Sequence, residues 1–192
     1  MSKGDGKKSS KKCLAYVAVF VVFQAAVIMV LALTVMKIKS PKIRLNAIAV
    51  ESFSSSNNGN NAGPTPSINM KLLTQLTIKN TNFGQFKYDN ATLAILYNGV
   101  PLGEAVIPRG RVKARKTLKF NVSFDLNSDR LNGNNTNLGN DINSGVLRLS
   151  SQARVNGKVH LMKIIKKNKS GNMNCDWIVN LATRMVENLN CK

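Results

Sequence analysis

A few residues of this 192-residue chain have types and spacing that suggest chemistry. Cys175 and Cys191 are either a disulfide or two free thiols. A continuous helix or strand between them would hold the sulfurs far beyond bonding distance, so a bridge requires the chain to reverse, expected near Asn188 to Asn190. His160 is the only histidine, which removes paired-histidine metal sites and leaves any catalytic triad dependent on one residue inside an alternating segment. The sequence contains no nucleophile elbow, no phosphate-cradling glycine loop and no metal-ligand spacing. Neither an enzyme nor a cofactor is expected.

Asn90, Asn121, Asn134 and Asn168 head N-x-[ST] sequons, which are glycosylation acceptors on the outer side of a membrane; roughly three are expected by chance in a chain this rich in Asn, Ser and Thr. Basic side chains gather at Arg109, Arg111, Lys113, Arg115, Lys116 and Lys119, and again at Lys158, Lys163, Lys166, Lys167 and Lys169. Such patches bind polyanions or acidic headgroups when they are not simply solvated faces. A nucleic-acid partner is not expected, because the patches lack interleaved aromatic stacking positions and any reader motif.

The elements that must position these residues follow from how charge and hydropathy are distributed. The formal charge is +19, with 28 Lys+Arg against 9 Asp+Glu, yet 43% of the chain is hydrophobic. Residues 13 to 36 carry no charge and form an apolar stretch flanked by lysines on both sides. As a helix this stretch reaches roughly 36 Å, enough to cross a hydrocarbon core of about 30 Å. It is too long for a cleaved signal peptide and is read as a transmembrane signal anchor. Residues 1 to 12 are then a basic cytosolic head, in which Lys7, Lys8, Lys11 and Lys12 meet anionic inner-leaflet lipids. The lysines beyond the span, Lys37, Lys39 and Lys42 with Arg44, nearly balance those before it, so the charge rule only narrowly favours the N-terminus inside.

Residues 37 to 192 form the third part, an all-β domain. Thr117 to Phe124 alternates, with Leu118, Phe120, Val122 and Phe124 on one face. Further strands are expected at Ile43 to Val50, Leu72 to Lys79, Ala91 to Tyr97, Pro101 to Ile107, Val146 to Val155, Val159 to Ile165 and Asp176 to Leu181. Asn98-Gly99 and Asn156-Gly157 stand where hairpin turns belong. Seven or eight strands make a sandwich, and Trp177 is expected in its core. Ser54 to Ser67 and Asn127 to Ser144, rich in Asn, Gly and Ser, are read as surface loops. Residues 178 to 189 fit a helical or a strand period equally.

The string from Leu76 to Pro108, with Asn80-Thr81-Asn82, Tyr88, Tyr97-Asn98-Gly99, Leu102-Gly103 and Pro108, resembles the water-stress and hypersensitive-response domain of late embryogenesis abundant proteins, subgroup two. This family includes the harpin-induced-like and non-race-specific-disease-resistance-like membrane proteins of plants. Thr81 stands where the family pattern has proline, which weakens the rigidity of that turn. The order of parts is also similar: a short head, one membrane helix, then a domain bearing Cys175-Asp176 and Cys191-Lys192.

The resemblance implies a seven-stranded, fibronectin-like sandwich on the extracellular side of the plasma membrane, acting in stress and defence without catalytic residues. In that compartment a Cys175 to Cys191 disulfide would persist. The basic patch Arg109 to Lys119 would then face acidic cell-wall polysaccharide, and other membrane or defence proteins are further expected partners. The alternative function is a carrier of lipid or another small apolar ligand, which would use the sandwich interior as its pocket.

Overall fold

The computed structural model describes residues 6–35, 37–56, 67–131, 136–161 and 165–192. It divides into two compact units, Met1–Ile38 and Lys39–Lys192. The first is helix α1 (Gly6–Val35). Its apolar stretch Cys13–Thr34 covers 22 residues, all unburied within the protein and long enough to cross a bilayer. Thr34 returns its hydroxyl to the Val30 carbonyl at 2.8 Å, so the polar group is satisfied within the helix. The helix begins at Gly6, and therefore runs through the lysine-rich head.

The second unit is an all-β sandwich. Strands β1 (Lys42–Ser56), β2 (Ser67–Lys79) and β7 (Thr117–Asn127) form one antiparallel sheet in the order β1-β2-β7. The other sheet contains β3 (Gln85–Tyr88), β4 (Ala91–Tyr97), β5 (Val100–Ile107), β6 (Gly110–Val112), β8 (Val146–Leu161), β9 (Ile165–Asn180) and β10 (Met185–Cys191). In this sheet, β3 and β4 are two halves of one strand lying along β8. β3 pairs Gln85 with His160 and Tyr88 with Gly157, whereas β4 pairs Leu93 with Ala153 and Leu96 with Ser150. One extra residue is absorbed at Asp89-Asn90. β6 and β5 repeat the arrangement on the outer side, with Tyr88 opposite Gly110 and Ala91 opposite Ile107. The outer break falls at Pro108, which has no N–H to give to a ladder. The Arg109 N–H donates instead to Asn90 Oδ1 at 2.7 Å. Counted by strand position, the ten segments are eight strands.

Alternation builds the core. Ile68, Met70, Leu72, Thr74, Leu76 and Ile78 of β2 point inward in sequence, and Leu147, Leu149, Ser151, Ala153 and Val155 of β8 answer from the opposite sheet. Trp177 is buried among them, as expected. Two glycines let the sheets approach at their edges. A Cβ on Gly103 of β5 would lie 2.7 Å from the Asp125 carbonyl oxygen of β7, and one on Gly171 of β9 would lie 2.8 Å from that of Pro41. Real Cβ contacts are never that close, so side chains there would push the sheets apart.

Several expectations need correction. Asn156-Gly157 is not a turn: β8 runs straight through it, and Val146–Val155 and Val159–Leu161 belong to one strand. Gly157 is needed for proximity, because its Cβ would sit 2.3 Å from the Lys87 carbonyl oxygen. Asn98-Gly99 is a turn, with φ of 47° and 83°, the left-handed pair a tight hairpin demands. Asn127 to Ser144 is not all loop. A 3-10 turn at Ser128–Leu131 and helix α2 (Thr136–Ser144) occupy it, with Leu131 and Leu138 buried. Its Asn-rich composition hid two apolar anchors. Ser54 to Ser67 is strand at both ends, within β1 and β2; residues 57–66 lie outside the described residues. Residues 178 to 189 hold no helix. The chain reverses at Leu181–Arg184, between β9 and β10. Asn188 to Asn190 instead forms a bulge in the β10 pairing, with Asn188 at φ 55°.

Candidate functional site

The antiparallel pairing of β9 and β10 sets Cys191 directly opposite Cys175, and their sulfurs are bonded at 2.00 Å. Cys191 Sγ also packs against the Leu45 carbonyl of β1, so the bridge sits where the last strand meets the first sheet. Closing a loop of this size contributes about 3 kcal/mol in the chain-entropy picture. Cys13 is exposed and free.

Asn80-Thr81-Asn82 builds a buried polar knot. Asn80 is fully buried, and its Nδ2 lies within hydrogen-bond distance of the carbonyls of Gly84, Val112 and Lys113, at 2.8, 3.2 and 3.1 Å. Its Oδ1 accepts from both the N–H and the Nδ2 of Asn82 at 3.0 Å. Asn82 in turn grips the entering chain: Lys39 N–H donates to its Oδ1 at 2.6 Å, and its Nδ2 donates to the Lys39 carbonyl at 2.7 Å. Two side-chain amides thus replace ladder bonds for three backbone segments. Arg115 Nη1 donates to the Thr81 carbonyl at 3.1 Å, so hydrogen bonds hold the turn that proline would have stiffened.

The sandwich is electrically polarised. At the end where Lys39 enters, the three-stranded sheet aligns Lys42 with Lys79 and, through Thr77, Arg44 with Lys119. The other sheet sets Arg111, Lys87 and Lys158 opposite one another in a row, and Gln85, His160 and Lys166 in the next. Like charges directly opposed are unfavourable. Most of the acidic residues lie elsewhere, although Asp89 borders this surface beside Asn156 and Lys158. Glu51, Asp125, Asp129, Asp141, Asp176 and Glu187 all fall in the far half, and the ion pair among the described residues, Lys71 with Glu51 at 3.4 Å, is there too. Lys87 is the residue that sequence reading missed. It lies in a strand of four residues, too short to show a period, yet it sits between Arg111 of one basic cluster and Lys158 of the other and so joins them in one row; Lys163 of the second cluster lies outside the described residues.

His160 sits within this surface. Its partial burial, together with the charges of Lys87, Lys166 and Lys158, pushes its pKa below the ordinary value. At the far end the Tyr97 hydroxyl donates to Asp141 Oδ2 at 2.8 Å, tying β4 to α2. Burial, with Asp141 adding to it, pushes that phenol up to about 12. Arg109, Arg111, Lys113, Arg115, Lys116 and Lys119 are all exposed, and the Arg115 guanidinium stacks 4.4 Å over the Phe83 ring. Asn90, Asn121 and Asn168 are exposed, while Asn134 lies outside the described residues. Lys7, Lys8, Lys11 and Lys12 fall within α1. No group of three or more His, Cys, Asp or Glu among the described residues is placed to hold a metal ion.

An apolar helix long enough to span a bilayer, followed by a disulfide-closed β-sandwich built around paired buried asparagines, defines a class of all-β modules that carry an N-terminal apolar helix. A family model described as late embryogenesis abundant protein matches residues 75–176. The chain is also 32% identical over 184 residues to the late embryogenesis abundant protein At1g64065 of Arabidopsis thaliana, covering 94% of this chain and 83% of that one. The chain belongs to the late embryogenesis abundant protein family. Solved structures with some likeness include AT1g01470 from Arabidopsis thaliana, at TM-score 0.33 and 12% identity over 73% of this chain and 84% of that one. A protein from Archaeoglobus fulgidus has TM-score 0.35 and 10% identity over 69% and 95%.

Proposed function

We propose that this chain is a single-pass, non-catalytic binding and structural module of the plant plasma membrane, acting at the cell-wall interface in stress and defence. The N-terminus is cytosolic and the sandwich extracellular. The observation that carries this reading is the pairing of a membrane-length apolar helix with a sandwich closed by the Cys175–Cys191 bridge, since such bridges persist in oxidising compartments. The lysine-rich head meets anionic inner-leaflet lipids. The row Arg111, Lys87 and Lys158, with Arg109 next to it in the chain, offers acidic polysaccharide a sequence-independent electrostatic face. A carrier of apolar ligands is less well supported, because Trp177, Phe86, Phe124, Leu72 and Leu76 fill the space between the sheets. The cleft beside Asp89, Arg154, Asn156 and Lys158 is open to solvent and lined mainly by charged and polar residues.

Expression in plant cells tests this reading. The protein should stay in the membrane fraction through alkaline carbonate washing, and endoglycosidase treatment should increase its gel mobility through loss of glycans at Asn90, Asn121 or Asn168. Release by carbonate would contradict the anchor, and an unchanged mobility would count against an extracellular sandwich.

A further inference from the structure

We propose that the cleft lined by Asp89, Arg154, Asn156, Lys158, Asn168 and Ser170 is a subsite for one sugar-acid unit of an acidic polysaccharide, whose carboxylate meets the cations and whose hydroxyl donates to Asp89. The inference rests on the polysaccharide reading above and deepens it, from a face that attracts any polyanion to a site that selects a hydroxylated one. The cleft lies wholly within the sandwich unit.

Its shape follows from how the strands are laid. β3 and β4 share β8, and the extra residue at their junction leaves Asp89 outside the ladder, although its N–H still donates to the Asn156 carbonyl at 3.2 Å. Arg154, Asn156 and Lys158 alternate on the outward face of β8, and β9 sets Ser170 opposite Asn156 and Asn168 opposite Lys158. The space they line has a volume of about 410 Å³, within the roughly 300–1,000 Å³ usual for small-ligand clefts.

Two features choose the ligand. The first is charge of both signs in one place. Asp89, Arg154 and Lys158 are exposed and line the same cleft, yet the ion pair among the described residues is Lys71 with Glu51, so none of the three neutralises another. A plain polycarboxylate uses the cations, is repelled by Asp89 and offers it no proton. A sugar acid satisfies both, because its carboxylate accepts from Arg154 or Lys158 while a ring hydroxyl donates to Asp89. The second feature is that no aromatic side chain lines the cleft, so a neutral sugar finds no stacking platform and recognition rests on charge and hydrogen bonds. The row Lys158, Lys87 and Arg111 leads away from the cleft across neighbouring strands, in steps of about 4.8 Å, and offers positions for the carboxylates of further units.

The direction of one substitution's effect tests this. The full chain, made without glycans because Asn168 heads a sequon, is held in neutral lipid nanodiscs and titrated at low salt with galacturonate oligomers. A parallel titration uses polyacrylate, which carries carboxylates and no hydroxyl. Asp89→Ala removes a negative charge and should strengthen polyacrylate binding, yet it should weaken oligogalacturonate binding at least about threefold. Arg154→Gln should weaken both ligands, and more than Lys71→Gln, which removes the same charge from the other sheet. Unchanged or stronger binding of both ligands by Asp89→Ala overturns the subsite and leaves a face that responds to charge alone. Equal effects of Arg154→Gln and Lys71→Gln overturn it as well. A wild-type chain that binds neither ligand contradicts the polysaccharide reading itself, and the subsite with it.

Discussion

Asn80 is the residue whose loss the fold should tolerate least for its size. Its side chain is fully buried and serves the Gly84, Val112 and Lys113 carbonyls as well as Asn82. Asn80→Ala leaves those buried groups without a partner and should lower stability by about 2–3 kcal/mol, measured by urea denaturation. Asn82→Ala should instead free Lys39, seen as faster amide exchange there at smaller global cost. His160 gives a pH signature. Its folded pKa lies below its unfolded value, so in the window just under about pH 6.5 the unfolded chain holds a proton that the folded chain does not. Stability is therefore greatest above that window and falls as pH drops through it. His160→Gln should flatten this dependence in thermal melts taken between pH 5 and 7. A variant with the wild-type slope would show that the lysines around His160 do not govern it.

At the scale of elements, the sandwich depends on closures at its edges. Gly103→Val places a side chain against Asp125 and Leu126 of β7 and should destabilise the domain by about 2–3 kcal/mol; the same change at solvent-open Gly99 acts through its φ of 83° alone. Removing the Cys175–Cys191 bridge with paired serines should cost about 3 kcal/mol in the same denaturation assay. Most long strands were legible in the sequence, because a period of two over Thr117–Phe124 or Leu72–Lys79 has one explanation when one face is buried. Asn98-Gly99 was legible for the same local reason. Asn156-Gly157 was not, since the same dipeptide serves a turn by conformation or a strand by bareness, and only the neighbour at Lys87 decides which. β3 and β6 were too short to show a pattern, and α2 carried its buried Leu138 in a polar, Asn-rich context that hid it.

At the scale of the whole molecule, the sequence disclosed how much charge there is and the structure discloses where it lies. The two basic clusters looked like separate stretches because Lys87, the residue that bridges them, is distant from both in the chain. The acidic residues looked scattered because their strands run in alternating directions, yet most of them face the far end. The family's asparagine motif was recognisable as a motif, while its task of gripping Lys39 required three segments to meet in space. A helix of membrane-spanning length together with a sandwich closed by the Cys175–Cys191 disulfide makes physical sense when the sandwich stands outside the cytosol, as proposed above.

Protease protection of the full chain, tagged at both ends and expressed in intact protoplasts, tests that claim most directly. External protease should remove the C-terminal tag and leave the N-terminal tag attached to a membrane-retained fragment. Loss of the N-terminal tag with retention of the C-terminal one would contradict it, and the extracellular readings of the disulfide, the sequons and the wall-facing surface would fall together.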